Sequence, residues 1–287
     1  MSKSLMIQGT SSGVGKSIIS TGICRILKQD GNTVAPFKAQ NMSNNAHILE
    51  NGFEMARSQA IAAYACGIEP HQNMNPVLLK PLDGITEVVV TGKSEGTMSR
   101  EEYKIFKQSI DLKILDAYKV LEEQYDIIVL EGAGSPVEMN LKDEDIVNMS
   151  MAQKVNSPVI LVSDIDRGGV FASVFGTLEL FSKSEKQRVK GIIINKLKGK
   201  KETFSDVQKY MEDITNIPVI GMIPYVELDI EDEDSLIDFK TGQKTAKLEM
   251  PSNDYREYMN TQFDSLAKVL REHMDVGKIY EIMEKGV

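Results

Sequence analysis

The segment Gly9-Thr10-Ser11-Ser12-Gly13-Val14-Gly15-Lys16-Ser17 has the residue types and spacing of a phosphate-binding loop. Glycines there let backbone N–H groups close around anionic oxygens. A short apolar run, Leu5 to Gln8, precedes it. A helical pattern follows, with Ile18, Ile19, Ile23, Ile26 and Leu27 on Ser17 to Lys28. A helix N-terminus at this point adds partial positive charge. Gly9, Thr10, Gly13, Val14 and Gly15 are therefore expected to cradle the phosphates of ATP. Lys16 is expected to reach the β/γ-phosphates, and Ser17 to ligate Mg²⁺. Gly9 and Gly15 stand one residue further apart than in the usual pattern, but the Gly-Lys-Ser end and the strand-to-helix context fit.

Such a loop needs an acid on the metal side, at the end of another core strand. Glu131 follows the apolar run Asp126 to Leu130 and precedes Gly132-Ala133-Gly134-Ser135. Asp164 closes the next apolar run, just before Asp166-Arg167-Gly168-Gly169. Both acids fall where open α/β sheets bind ligands, at strand carboxyl ends. Their bland alternative is a cap or turn role. Asn195 ends a further apolar run and could read an adenine edge, because an amide offers donor and acceptor together.

Short apolar runs alternate with helical patterns along most of the chain. Thr33 to Phe37, Thr86 to Thr91, Pro158 to Ser163, Gly191 to Ile194 and Pro218 to Met222 read as strands. Glu54 to Cys66, capped by Gly67, and Asp111 to Gln124 read as helices. Continuous rather than alternating apolar strands indicate a parallel sheet covered on both faces. The expected fold is α/β, a P-loop NTPase-like, doubly wound, mostly parallel sheet. Residues 1–239 form the expected ATP-binding domain and 240–254 a linker. Residues 255–287 form a short helical tail, in which Asp275 caps the last helix.

Hydrophobic residues make up 41% of the chain and charged residues 26%, an ordinary globular balance. The net charge of -9 disfavours nucleic-acid wrapping, which needs a basic footprint. Seven carboxylates fall within residues 227–238, so much of the acidity belongs to one segment, read as a solvated loop or lid. Two cysteines, Cys24 and Cys66, read as core in a reducing compartment. Three histidines make a His-rich metal site unfavourable, and neither His47 nor His71 is assigned chemistry. No run is long enough to span a membrane. The expected location is cytoplasmic.

Further segments resemble a known family. Phe37-Lys-Ala-Gln-Asn-Met-Ser-Asn-Asn45, Met74-Asn-Pro-Val-Leu-Leu-Lys-Pro81, Asn140 to Met149, Val162 to Ser173, Gly221 to Tyr225 and Leu228 to Leu236 occur in order with the phosphate loop. Together they closely resemble the synthetase half of the cobyric acid synthases, within the dethiobiotin-synthetase-like amidoligases. The resemblance runs from residue 4 to about 239. It implies ATP- and Mg²⁺-dependent amidation of corrinoid side-chain carboxylates, at the b, d, e and g positions of adenosylcobyrinic acid a,c-diamide. Each carboxylate would attack the γ-phosphate, and ammonia would displace phosphate from the acyl phosphate.

The resemblance also implies site roles. Lys38 lies near phosphate and substrate carboxylate, acting in catalysis with Lys16 and Asp164. Glu54 joins Ser17 and Glu131 on the metal side. Gln40, Asn41, Asn75, Lys80, Asp143, Asp145 and Arg167 are substrate-side candidates. Asn195 and Pro224 belong to the adenine pocket. Each has a structural rival: a strand-end lysine, a first-turn helix acid, Asn turns, a helix-terminal charge cluster, an Arg paired with a nearby acid.

Members of that family continue from the Glu233-Asp234-Ser235-Leu236 region into a glutaminase domain. No such domain is expected here, and neither cysteine sits in a nucleophile turn. Phe263 to Val276 resembles the family's closing helix. Ammonia is expected from solution or from a separate glutaminase subunit, and a homodimer is left open. Two alternatives remain: a ligase of the same superfamily acting on another carboxylate, and a regulatory P-loop ATPase or non-catalytic scaffold. Thr10 stands where partitioning ATPases carry an extra lysine, which disfavours the regulatory class.

Overall fold

The structure is a computed structural model that describes residues 2–199, 205–226, 230 and 252–287. β1 (Lys3–Gly9) runs into the phosphate loop and α1 (Lys16–Gln29), then β2 (Val34–Phe37). Short strands β3 (Gln40–Met42), β4 (Ala46–Ile48) and β5 (Glu54–Ala56) lead to α2 (Arg57–Ala65). A meander of β6 (Val77–Leu82), β7 (Ile85–Val90) and β8 (Lys93–Met98) precedes α3 (Arg100–Glu122). β9 (Ile127–Glu131), α4 (Met149–Lys154), β10 (Val159–Asp164), α5 (Val170–Leu180) and α6 (Lys183–Arg188) follow. β11 (Val189–Leu197), α7 (Ser205–Thr215), β12 (Val219–Pro224), α8 (Ser252–His273) and α9 (Val276–Lys285) complete the order.

The main sheet is parallel throughout, in the order β12-β11-β10-β1-β9-β2. Its central strands bury both faces, as their continuous apolar runs require. Leu5, Ile7, Ile127, Val129, Ile160 and Val162 point to one core, while Met6, Ile128, Leu130, Val159 and Leu161 point to the other. This is the period-two alternation of a strand with apolar residues at every position.

Three expectations change, the first being that the helix expected from Asp111 already starts at Arg100. Glu54 does not open a helix: residues 54–56 pair antiparallel with 46–48, and α2 starts at Arg57. The strand over 86–91 does not join the parallel sheet. It is the centre of a separate sheet, ordered β3-β6-β7-β8, with antiparallel β6-β7 and β7-β8 pairs.

The tail helices pack onto the core. Phe263, Leu266, Leu270, Ile279 and Ile282 are buried with Leu5, Ile23 and Ile193 on one face of the main sheet. α8 lies so close to α1 that a Cβ on Gly22 would stand 2.3 Å from Leu270. Arg25 donates to Asp264 at 2.7 Å across the same contact. Asp275 caps α9 by accepting from the Lys278 N–H. Residues 227–238 and 240–251 lie outside the described residues apart from Ile230, which is buried in this core.

Candidate active site

The fold places β1 between β9 and β10. The phosphate loop thus emerges with Glu131 on one side and Asp164 on the other. Gly15 closes the loop at φ +95°, a conformation that favours glycine. A Cβ there would lie 2.2 Å from Asn195 Nδ2.

Glu131 is the hub of one side. It is 2% exposed. Its Oε1 accepts from Ser17 Oγ at 2.7 Å and from Lys38 Nζ at 2.9 Å. Its Oε2 accepts from Gln59 Nε2 at 3.3 Å. A buried carboxylate demands such partners, since isolated charge in low dielectric is costly. Lys16 reaches across the loop, donating to the carbonyls of Ser11 at 2.9 Å and Gly134 at 3.0 Å. It therefore links the phosphate loop to the glycine loop after β9.

That second loop is itself fixed. Asn148 accepts from the Ala133 N–H and donates to the Ala133 and Ser135 carbonyls. Asp145 holds Asn148 in turn, accepting from the N–H groups of Val147, Asn148 and Ser150 at 2.8–2.9 Å. The carboxylate of Asp145 thus organises the chain entering α4.

The other side straps the loop from behind. Asn195 Nδ2 donates to the Val14 carbonyl at 2.9 Å. Lys196 Nζ donates to the Gly13 carbonyl and lies 3.3 Å from Asp164 Oδ2. Lys196 adopts φ +61°, rare for a lysine. Asp164 also accepts from the Asp166 N–H at 2.7 Å and pairs loosely with Arg167 at 3.6 Å. Thr10 shares a hydrogen bond with Ser163 at 3.0 Å.

A cavity of about 430 Å³ opens beside the loop. Gly13, Gly15, Lys16, Ser17, Lys38, Gln40, Asn41, Glu131 and Asp145 line it, together with Lys107 and Lys142. The structure therefore gathers nine of the twenty expected residues around one space. Others lie elsewhere. Glu54 does not line the cavity; it pairs with Lys80, which also meets Glu87 at 3.4 Å. Burial pulls the Lys80 ammonium down, but Glu54 and Glu87 outweigh it and hold it above the ordinary lysine range.

Asn75 is 1% exposed and fully committed to backbone. It accepts from Ala56 N–H and donates to the Lys38 and Val77 carbonyls. Its geometry is that of a staple beneath Lys38 rather than a substrate contact. Asp143 lines a neighbouring surface depression with Lys104 and Asn140. Arg167 is largely exposed beside Asp164, the pairing weighed as its rival role. Asn195 is committed to the back of the loop through its Nδ2. Pro224 ends β12, next to Tyr225, whose N–H bonds the Leu197 carbonyl. His47 lines a different cavity, between α2 and α8, edge-on to Tyr64.

Residue types alone did not single out Gln59, Asn148, Lys196 and Lys107.

The described residues contain no cluster of three or more His, Cys, Asp or Glu side chains suited to a metal. Ser17 and Glu131 do offer adjacent hydroxyl and carboxylate oxygens, the donor type that hard divalent cations take. No helix among the described residues is long and apolar enough to cross a membrane.

Comparisons with known proteins agree with this architecture. The chain is 50% identical over 252 residues to a cobyric acid synthase of Lachnoclostridium phytofermentans, covering 86% of this chain and 49% of that protein. It is 52% identical over 234 residues to a cobyric acid synthase of Alkaliphilus metalliredigens, covering 81% of this chain and 46% of that protein. The chain thus spans about half the length of these curated relatives. The CbiA family, described as the CobQ/CobB/MinD/ParA nucleotide binding domain, matches residues 5–237, and the chain belongs to this family.

Proposed function

We propose that the chain is an ATP-dependent amidoligase that converts corrinoid side-chain carboxylates to amides. The observation that carries this reading is the Glu131 hub, where Ser17 and Lys38 meet one carboxylate oxygen at the edge of a phosphate loop. The relatives named cobyric acid synthase support the substrate class.

The chemistry suits the groups present. A carboxylate is a poor electrophile, and phosphorylation supplies it with a leaving group. The loop N–H groups and Lys16 would hold the phosphates. Lys38, buried beside the cavity, would neutralise charge as acceptor oxygen approaches phosphorus. Ser17 and Glu131 would hold Mg²⁺, which when bound supplies further charge neutralisation at the phosphates. Ammonia then displaces phosphate, entering from solution or from a glutaminase on another polypeptide or domain.

The test incubates the chain with ATP, Mg²⁺, ammonium and adenosylcobyrinic acid a,c-diamide. Acceptor-dependent ADP release is expected, with the small stepwise mass decrease set by replacing OH with NH₂. ADP release that ignores the acceptor, with no mass change, rejects the reading and favours a regulatory ATPase.

A further inference from the structure

The cavity wall opposite the phosphate loop carries an excess of hydrogen-bond donors. Asn41 is 2% exposed, and its Nδ2 is buried without a partner. A buried donor left unmade costs free energy, so this amide is poised for an acceptor that arrives from outside. Beside it, Gln40 Oε1 accepts from the Tyr103 hydroxyl at 2.6 Å. That bond occupies the oxygen of the carboxamide and leaves its N–H₂ as the free end.

Lys107 follows Tyr103 by one helical turn on α3, with its ammonium 5.9 Å from the Tyr103 ring. It lines the same cavity. Glu144 and Asp145, which line the cavity with Glu131 and Glu138, are already engaged, though both still act on the Lys107 charge. Glu144 pairs with Lys104 at 2.6 Å, and Asp145 accepts from three backbone N–H groups. No carboxylate among the described residues lies within ion-pair distance of Lys107. Lys142, the other lysine of this wall, is paired with Glu185 at 3.0 Å. Met42 and Leu141 stand exposed at the rim, giving an apolar lip to a donor-rich pocket.

We propose that Lys107, with the amide donors of Asn41 and Gln40, forms a subsite that binds an acceptor carboxylate and distinguishes it from the amide by charge. The inference rests on the amidoligase reading and deepens it. Amidation turns an anion into a neutral group. The amide keeps one carbonyl oxygen for Asn41 or Gln40 but forfeits the ion pair with Lys107. Charge-assisted hydrogen bonds are about twice as strong as neutral ones, so product is held less tightly than substrate. Tyr103 acts as a positioning residue, since it fixes which end of Gln40 faces the cavity.

The test measures binding of adenosylcobyrinic acid a,c-diamide and of fully amidated adenosylcobyric acid, by calorimetry on the full chain. Wild type, Lys107→Met and Lys107→Arg are compared, with ATP binding as the control for an intact fold. Wild type is expected to prefer the acid. Lys107→Met should weaken acid binding by about ten- to a hundredfold while barely moving amide binding, and Lys107→Arg should recover most of the loss. Retention of the acid preference in Lys107→Met overturns the subsite alone. Equal loss of acid and amide also overturns it, because that marks a merely structural role. Wild type that binds ATP but neither corrinoid overturns the subsite and the amidoligase reading together.

Discussion

Ser17 and Lys38 share one oxygen of Glu131, at 2.7 and 2.9 Å, although Ser17 lies in the first turn of α1 and Lys38 directly follows β2. Lys38 and Glu131 are each at most 3% exposed. Removing one member of such a buried pair strands the other, at a cost of about 3–5 kcal/mol. Lys38→Met should therefore destabilise the chain by roughly that amount in urea unfolding. The double variant Lys38→Met/Glu131→Gln should regain much of the loss, because no bare charge remains. Simple addition of the two single effects would show that the pair is not coupled.

The back strap of the phosphate loop gives a second prediction. Gly15 sits at φ +95° with Asn195 where a Cβ would be. Gly15→Ala must both strain the backbone and displace Asn195 from the Val14 carbonyl. Nucleotide binding should fall by at least about tenfold, as for loss of a well-made hydrogen bond plus strain. Lys196→Met should weaken nucleotide binding in the same direction by freeing the Gly13 carbonyl. Lys196→Gly should do so less than expected from the lost ammonium, because it relieves the left-handed conformation. Titration with a fluorescent ATP analogue reads all three, and an unchanged affinity in Gly15→Ala would count against the strap.

The parallel sheet was legible because its strands are apolar at every position, a pattern set by burial on both faces. Glu131 and Asp164 were legible for the same reason: each directly ends such a run. Glu54 was misplaced because the Ala-rich segment after it reads as one helix. The pairing that pulls residues 54–56 into a strand comes from Ala46 to Ile48, a partner that local periodicity cannot show. The first turns of α3 carry exposed Ile105 and mixed charges, so their apolar face is broken. Their start was nevertheless written in the capping box of Ser99 and Glu102, which the structure forms in full. Gln59, Asn148, Lys107 and Lys196 are common surface types. Only the topology brings Gln59 to Glu131, Asn148 and Lys196 to the loops, and Lys107 to the cavity.

Phe263 tests whether the tail is part of the fold. It is 1% exposed and lies in the core that α1 and α8 share. Phe263→Ala should cost about 3–5 kcal/mol, the usual range for a buried phenyl group. Thermal melts of the full chain should show this as a single shifted transition. A second transition at unchanged temperature would mean that the tail melts on its own.

The contact between α8 and α1 also carries a pH signature through Asp264. Its carboxyl is held below the usual aspartate range, first by the hydrogen bond from Arg25, then by Gln29, against the opposing effect of burial. A carboxylate whose folded pKa is depressed binds protons more readily in the unfolded chain. Its stabilising share is therefore present above the unfolded value, near 4, and is lost as pH falls through the folded value. Asp264→Asn should be less stable than wild type at neutral pH, by a modest amount because the side chain is about half exposed. The difference between the two should shrink as pH drops below about 4, and the curves should converge once Asp264 is protonated in the folded state. A gap that stays constant down to that pH would assign the loss to packing rather than to the Arg25 ion pair, leaving Arg25 without the charge partner that the geometry gives it.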